Sequence, residues 1–283
     1  MAVDIYQMIT DKIIEEMEKG NVVWEKGWRG TADGAFNRIT KTPYSFLNQM
    51  LLAHSGEYAT FKQWQSLGGK IKKGSKSEMV VFWKQMVIKG DPDAKEEKDK
   101  KDKVIPILRY YNVFHISQIE GVEPLNKDDV EMINYNPIDE AENVINNYVQ
   151  RETGLRIIDE LGDKACYSES QDLIVVPLKE QFTSINEYYS TKFHEMTHST
   201  GSKKRLKRLE TGRFGSEKYS KEELIAEIGS AMLMSYCNIE TDDTFRNSVG
   251  YLQSWISKLR DDKKLIVQAS SKAEKAVKYI LAM

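Results

Sequence analysis

The sequence predicts an α+β protein of two domains, and three features predict it. The chain has 283 residues, more than one typical domain needs. Runs with helical periodicity alternate with short β-branched and aromatic runs. Between them, Gly121, Pro124 and Pro137 interrupt the periodicity over Glu120–Asn136, which reads as a linker. These place one domain at 1–122 and another at 137–283. A hydrophobic content of 40% with 30% charged residues is that of a soluble globular chain.

In the first domain, the pattern predicts helices over Ile5–Lys19 and Ser45–His54. Strands follow at Met79–Met86 and Ile107–Ser117, both rich in β-branched and aromatic residues. Between the strands, Lys89–Lys103 is almost wholly charged and reads as a solvated hairpin tip. In the second domain a helix over Ile138–Thr153 leads into a strand at Leu155–Ile158. Ala165–Pro177 reads as a hairpin turning near Ser168–Asp172, with Ile174–Val176 either an edge strand or a core strand. Trp255, Ile256 and Leu259 lie at helical spacing and read as core, and Ala273–Leu281 as a closing helix.

The chemistry concentrates in Phe193-His194-Glu195-Met196-Thr197-His198, an H-E-x-x-H inside a predicted helix over 185–199. Ser184 and Glu187 form a capping-box pattern at its start, and Gly201 stands where a C-terminal glycine belongs. Residues i and i+4 of a helix lie one above the other, so His194 and His198 can face one cation. The expected ion is Zn2+, other divalent metals being possible. In zinc peptidases with this pattern the intervening acid, here Glu195, acts as general base.

A third ligand is expected on the helix opened by Ser220 and running through Ile228, Met232 and Tyr236, with Glu223 the candidate and Glu222 a competitor. The lesser reading is that Glu223 owes its position to a capping box led by Ser220. Glu223-x-x-Ala226-Glu227 is similar to the E-x-x-A-[DN] ligand helix of gluzincin-type peptidases. That similarity gives Glu227 the task of orienting a ligand histidine, although Glu stands here in place of Asp or Asn. The Lys203–Arg208 stretch is strongly basic. It suits a phosphate backbone, an acidic substrate, or the C-terminal end of the histidine helix.

A formal net charge of −2 gives no whole-chain support to nucleic-acid binding, but the charge is uneven. Lys70, Lys72, Lys73 and Lys76 lie among glycines, after Trp64. Trp24, Lys26, Trp28, Arg29, Asn37 and Tyr44 form an earlier basic and aromatic group. Such interleaving suits a groove that tracks single-stranded DNA by backbone charge and stacking. Tryptophans and tyrosines are, however, more often core residues. No apolar run is long enough for a membrane span, and Met1–Gly20 lacks a signal peptide's apolar centre, so a cytoplasmic location is expected. Cys166 and Cys237 are not in a C-x-x-C pair, so no disulfide is expected and both read as buried thiols.

Five segments then occur in order: W-x-K-x-W (Trp24–Trp28), N-R-I-T-K-x-x-Y (Asn37–Tyr44), A-T-F-K-Q-W (Ala59–Trp64), G-x-K-x-K-K-G (Gly68–Gly74) and V-F-x-x-x-Q (Val113–Gln118). With Tyr167, the Asp172–Pro177 strand, Phe182, Tyr188-Tyr189, the H-E-x-x-H and the Glu222–Glu227 helix, the chain resembles the ArdC-type antirestriction proteins of plasmids and mobile elements. The resemblance implies an N-terminal single-stranded-DNA-binding domain joined to a C-terminal zincin-like metallopeptidase domain. It also implies protection of incoming DNA from restriction after conjugation.

The expected function is therefore single-stranded-DNA binding together with a zinc peptidase site of His194, His198 and Glu223. Glu195 would be the base, and Tyr188 or Tyr219 an oxyanion donor toward a peptide substrate. The alternative is a non-catalytic DNA-binding shield whose metal site is structural or vestigial.

Overall fold

The computed structural model describes residues 4–24, 34–89, 102–125, 137–209, 217–239 and 249–283. The hairpin tip at 90–101 and most of the linker lie outside these residues, as do Lys26, Trp28 and Arg29. Two compact units result, and they are not a simple cut of the chain. Residues from Ile9 through Trp24 belong with the second unit, while Gly34–Leu125 belongs with the first.

The first unit is built on a mixed four-stranded sheet. Its strands are β1 (Ala35–Asn37), β2 (Gly56–Thr60), β4 (Glu78–Ile88) and β5 (Lys103–His115), in the order β1-β2-β5-β4. Both long strands run further than the sequence patterns indicate. A small pair, β3 (Lys70–Ile71) with β6 (Ile119–Glu120), stands apart. Helix α1 (Ile5–Glu18) begins the chain, and α2 (Phe46–Leu51) and α3 (Phe61–Ser66) flank the sheet strands in sequence. The short α2 is held by two buried amides. The Asn48 carboxamide bonds both the N–H and the carbonyl of Val81 at 2.7 and 2.8 Å, and Gln49 does the same to Ala35 at 2.8 and 2.9 Å. Each side chain thus imitates a neighbouring strand and satisfies backbone groups that a sheet edge would leave unpaired. Thr60 caps α3 in a capping box with Gln63. The core under the sheet is Ala35, Tyr44, Leu52, Tyr58, Val80 and Val113, with Trp64 in a second cluster beside Ala59 and Ile119.

The second unit places helices on a three-stranded sheet of order β7-β9-β8: β7 (Arg156–Glu160), β8 (Cys166–Ser168) and β9 (Leu173–Pro177). The strand expected at Leu155–Ile158 forms one residue later. Ile174–Val176 lies in β9, the central strand, so it is not an edge; β8 is the edge, antiparallel to β9. The reason is the pairing of β7 parallel to β9, which fills the side that a bare hairpin would leave open. Helices α4 (Pro137–Arg151), α5 (Ile185–Thr200), α6 (Glu217–Tyr236), α7 (Val249–Asp261) and α8 (Leu265–Leu281) complete the unit.

Tyr148, Ile174, Val176, Tyr189, Phe193, Met196 and Leu233 form the middle of its core. Trp255 is buried as expected, with Trp24 edge-on to it at 6.2 Å between ring centroids. The closing helix is longer than its apolar run; its first turns bury Leu265, Ile266, Val267 and Ala269, and Ser270 Oγ donates to the Ile266 carbonyl. Among the described residues no helix is long and apolar enough to cross a membrane.

The α5–α6 crossing positions everything that follows. Gly229 of α6 meets Thr197 of α5 so closely that a Cβ added there would lie 2.6 Å from Thr197 Cγ2. Gly229→Ala should therefore push the helices apart and cost about 1–3 kcal/mol, read as a lowered denaturation midpoint. An unchanged midpoint would mean that the crossing tolerates extra volume.

Candidate metal centre

The helix that carries the histidines starts where predicted, but its caps differ from the expected motif. Ser184 Oγ accepts the Glu187 N–H at 3.1 Å. The Glu187 carboxylate does not return to Ser184, however; it accepts from Thr183 N–H and Oγ1. Only half of the predicted capping box is present. Gly201 is the C-cap residue, yet its φ is −77°, so it is not needed for a left-handed turn. It is needed for space, because a Cβ would lie 2.9 Å from Leu209 and 3.0 Å from Arg208.

That close approach folds the basic stretch back onto the end of α5. Arg208 donates to the Thr197 carbonyl and to Thr200 Oγ1 (2.5 Å), and Arg205 to the Ser199 carbonyl at 3.1 Å. These bonds satisfy carbonyls that a helix end leaves open. Of the three roles open to the basic stretch, Arg205 and Arg208 take the capping role.

Facing α5 across the crossing, α6 brings three carboxylates. The helix begins at Glu217, so Ser220 lies inside it and is not an N-cap; helix initiation at Ser220 does not account for Glu223. Glu223 approaches both histidines, with Oε2 3.6 Å from His194 Nε2 and Oε1 3.5 Å from His198 Nε2. The two Nε2 atoms face each other at 3.0 Å. The other ring nitrogens point away to separate acids: His198 Nδ1 to Glu222 at 3.2 Å, and His194 Nδ1 to Glu227 at 3.8 Å. Glu222 is itself held by Arg208 at 3.0 Å. The competition between Glu222 and Glu223 thus resolves by geometry. Glu223 faces the shared space between the histidines and Glu222 the back of one ring.

This donor set fits a cation. Both Nδ1 atoms face carboxylates, so the two Nε2 atoms are the ring nitrogens that converge. At 3.0 Å apart they are held together either by a shared proton or by a cation between them. One nitrogen from each ring and one Glu223 oxygen all lie within 4.8 Å of one another. Two histidines and one carboxylate are a donor set that can hold a divalent metal ion. Electrostatics agree. Burial alone would push His194 down, but Glu223, Glu227 and Glu195 together hold it above its ordinary value. The Glu223 carboxyl is held below its usual value, burial being outweighed by His194, His198 and Tyr219.

Glu195 is buried and points into the same cleft of about 480 Å³. Burial raises its carboxyl, while the two histidines and the backbone N–H of Tyr167 oppose the rise. Tyr167 belongs to the edge strand β8 and also lines the cleft. Its phenol donates to Asp172 at 2.9 Å, and Asp172 receives both terminal nitrogens of Arg205 at 2.9 and 3.1 Å. Arg205 reaches Glu152 as well, at 2.7 Å. The strand that lines the cleft beside Glu195 is in this way anchored to a buried ion network. Sequence reasoning missed Asp172, Arg205 and Glu152 in this role, because nothing in their spacing marks them as partners.

Tyr219 lies in the cleft and bonds Glu223; burial and the nearby carboxylates push its phenol up to about 12. Tyr188 does not line the cleft. It is buried on the other side of α5, where its hydroxyl bonds Asp159 at 2.7 Å and also meets Lys192. The oxyanion role therefore falls away from Tyr188. Both cysteines are free thiols; Cys237 is buried as expected, but Cys166 is exposed, because it stands on the edge strand β8 at the cleft.

The residues singled out for DNA are scattered. Trp24 and Trp64 are core side chains, and the Trp64 indole N–H is spent on the Phe114 carbonyl at 2.9 Å. Neither ring is open to a base, because both are buried, as large apolar rings commonly are. Tyr44 is buried, and Asn37 uses its carboxamide oxygen to hold the N–H groups of Ile39 and Thr40. Lys70, Lys72, Lys73 and Lys76 are exposed, with Lys72 donating to the Ser117 carbonyl at 2.7 Å.

Comparison with known proteins places both units. The model of the N-terminal domain of the anti-restriction factor ArdC matches residues 3–114, and that of a zincin-like metallopeptidase domain matches residues 142–272. Solved structures of the antirestriction ArdC protein from plasmid R388, metal-free and Mn(II)-bound, are 31% identical and cover 99% of this chain. Their TM-scores are 0.74 and 0.73, and this chain covers 97% and 98% of theirs. An uncharacterized protein y4eC of Sinorhizobium fredii is 30% identical over 99% of the chain and 92% of its own length. Two DNA primase TraC proteins of Escherichia coli are 32% and 30% identical over 98% of the chain, which spans only 20% and 27% of their lengths. The fold and site define a two-domain protein with a zincin-like second domain. The chain belongs to the ArdC-like antirestriction family.

Asp172 supplies a test of the network behind Glu195. Burial favours its neutral form, but Arg205, Lys204 and Tyr167 hold its carboxyl below the usual range. A depressed folded value stabilises the protein above the ordinary carboxylate pKa and loses that contribution as pH falls through the folded value. Asp172→Asn should destabilise the protein at neutral pH by at most about 3–5 kcal/mol, since buried Arg205 then keeps Glu152 as its one carboxylate partner. The variant's stability should also fall less steeply than wild type below about pH 4. Parallel stability–pH curves for the two proteins would contradict this assignment.

Proposed function

We propose that this chain is an antirestriction protein that binds single-stranded DNA through its first unit. Its second unit holds a divalent cation, Zn2+ in the first instance, on His194, His198 and Glu223. The observation that carries the metal reading is the pair of imidazole Nε2 atoms 3.0 Å apart, with both Nδ1 atoms turned to carboxylates.

A bound divalent cation would supply Lewis acidity toward a carbonyl and make water a stronger acid. The protein's own residues would do the rest. Glu195, buried at the cleft beside the two histidines, is placed to take a proton from water in the cleft and return it to a leaving amine. Tyr219 keeps its proton at neutral pH and offers an O–H toward a developing oxyanion. The open edge of β8 lines the cleft and suits an extended peptide held by backbone pairing. The reaction class is peptide-bond hydrolysis. Glu222 and Glu227 orient the two imidazoles, and loss of such a partner costs metal affinity about 10–100-fold.

Support for the DNA reading comes from the match to the ArdC N-terminal domain and from the exposed lysines between Gly68 and Lys76. Cytoplasmic action after conjugative transfer accords with relatives that include a plasmid antirestriction protein.

A second reading, a DNA-binding shield with a purely structural metal, is separable. The R388 relative has been solved both metal-free and Mn(II)-bound, and this chain matches the two almost equally, which favours a metal not needed for folding. Elemental mass spectrometry of the purified protein should show close to one divalent ion per chain, lost in His194→Ala and in Glu223→Ala. Glu195→Gln should keep the metal and lose any hydrolysis. Metal retained by both ligand variants would overturn the site. Unfolding on chelation, with Glu195→Gln silent in a restriction-protection assay, would transfer the case to the shield.

A further inference from the structure

The strands β4 and β5 continue as a two-stranded ribbon well past the core, and its two faces differ in kind. Residues opposite one another in an antiparallel pair share a face. The register pairs Val80 with Tyr111, Phe82 with Arg109, Lys84 with Ile107, Met86 with Ile105 and Ile88 with Lys103. All three cations of the ribbon, Lys84, Lys103 and Arg109, therefore stand on one face. The opposite face, with Trp83, Gln85, Val87, Val104, Pro106, Leu108 and Tyr110, bears no charge. No acidic residue occurs from Met79 to Ile88 or from Lys103 to His115.

The charged face also carries open aromatic rings. Phe82 is 44% exposed and Tyr111 45%, and their centroids are 6.0 Å apart. Phe82 leans on buried Tyr44, also at 6.0 Å, so the pair is anchored to the core while leaving its outer surface to solvent. Aromatic strand residues are normally covered by a second layer. Here they are exposed beside cations, on two strands that carry no carboxylate over Met79–Ile88 and Lys103–His115.

We propose that this face, with Phe82 and Tyr111 as stacking platforms and Arg109 and Lys84 as phosphate contacts, is where a single nucleic-acid strand lies on the first unit. Stacking needs an exposed π-face and tolerates any base; phosphate contacts need cations along one line. Both requirements meet on this face, and the other face bears no cation. From Arg109 to Lys103 the ribbon spans about 20 Å at the rise of an extended strand, enough for several nucleotides. This assignment rests on the single-stranded-DNA reading above and replaces Trp24 and Trp64, whose rings are buried.

The test uses the full chain, a fluorescein-labelled thymine oligonucleotide and anisotropy titrations at several salt concentrations. Three double variants are compared: Phe82→Ala with Tyr111→Ala, Arg109→Gln with Lys84→Gln, and Trp83→Ala with Tyr110→Ala on the uncharged face. The first should weaken binding at least about tenfold. The second should lower the slope of log K against log salt by about 1.4, roughly 0.7 for each phosphate that is no longer neutralised. The third should bind like wild type. The charge variant keeps every apolar residue of the ribbon, so a weaker affinity there cannot be ascribed to an unfolded first unit.

If wild type binds and both charged-face variants bind equally well, this inference fails while the DNA reading stands. If wild type does not bind, both fail. If the aromatic variant instead converts a dimer to a monomer in light scattering, with the oligonucleotide affinity unchanged, the face serves self-association and the inference is overturned.

Discussion

The centre depends on how closely two helices cross. Gly229 admits Thr197 where any larger residue would collide, and that approach brings α6 near enough for three glutamates to reach two histidines of α5. Glu223 enters the space between the imidazoles, whereas Glu222 and Glu227 reach around to their backs. The result is an arrangement in which the lone pairs converge and negative charge surrounds them. Such a grouping is unfavourable unless a proton or a cation occupies it. Arg208, drawn back by the tight turn at Gly201, completes the circle by fixing Glu222 from outside. The strand β8, which lines the cleft beside the base, is held in a comparable way, since the Tyr167 phenol bonds the buried Asp172–Arg205 pair.

Much of the second unit is legible in the sequence, because its chemistry follows from a period. The spacing of His194 and His198 places both rings on one face of a helix, and Glu223 and Glu227 are likewise one turn apart. What spacing cannot give is the partner of each ring nitrogen. Glu222 and Glu223 are neighbours in sequence, and only the crossing angle of α5 and α6 decides which one enters the shared space. Helix caps are legible in position more than in mechanism. Ser184 and Gly201 stand where expected, but Glu187 turns to Thr183, and Gly201 serves close packing and not a left-handed turn. Ile174–Val176 illustrates a further gap. A run of β-branched residues suits a central or an edge strand equally, and the parallel partner β7 that makes it central is distant in sequence.

The first unit is harder to read, for the opposite reason. Its tryptophans draw attention by composition, yet Trp64 is consumed by the core of this small sheet. The exposed rings lie instead on strands, where an aromatic residue normally signals burial. No sequence pattern reveals that the side chains of β4 beyond Val81 stand open to solvent. The alternation that sorts all three cations onto one face becomes visible only once the register of Phe82 against Arg109 is known. A two-residue alternation carries the information, but a shift of one residue would invert it.

The central claim is that His194, His198 and Glu223 together hold one divalent cation, and its most direct test is X-ray absorption at the metal edge of the zinc-loaded protein. The expected first shell is two imidazole nitrogens and one carboxylate oxygen from the protein at about 2.0–2.2 Å, with remaining positions light oxygen. A sulfur at about 2.3 Å, which would bring in Cys166, or a shell lacking imidazole scattering would contradict it.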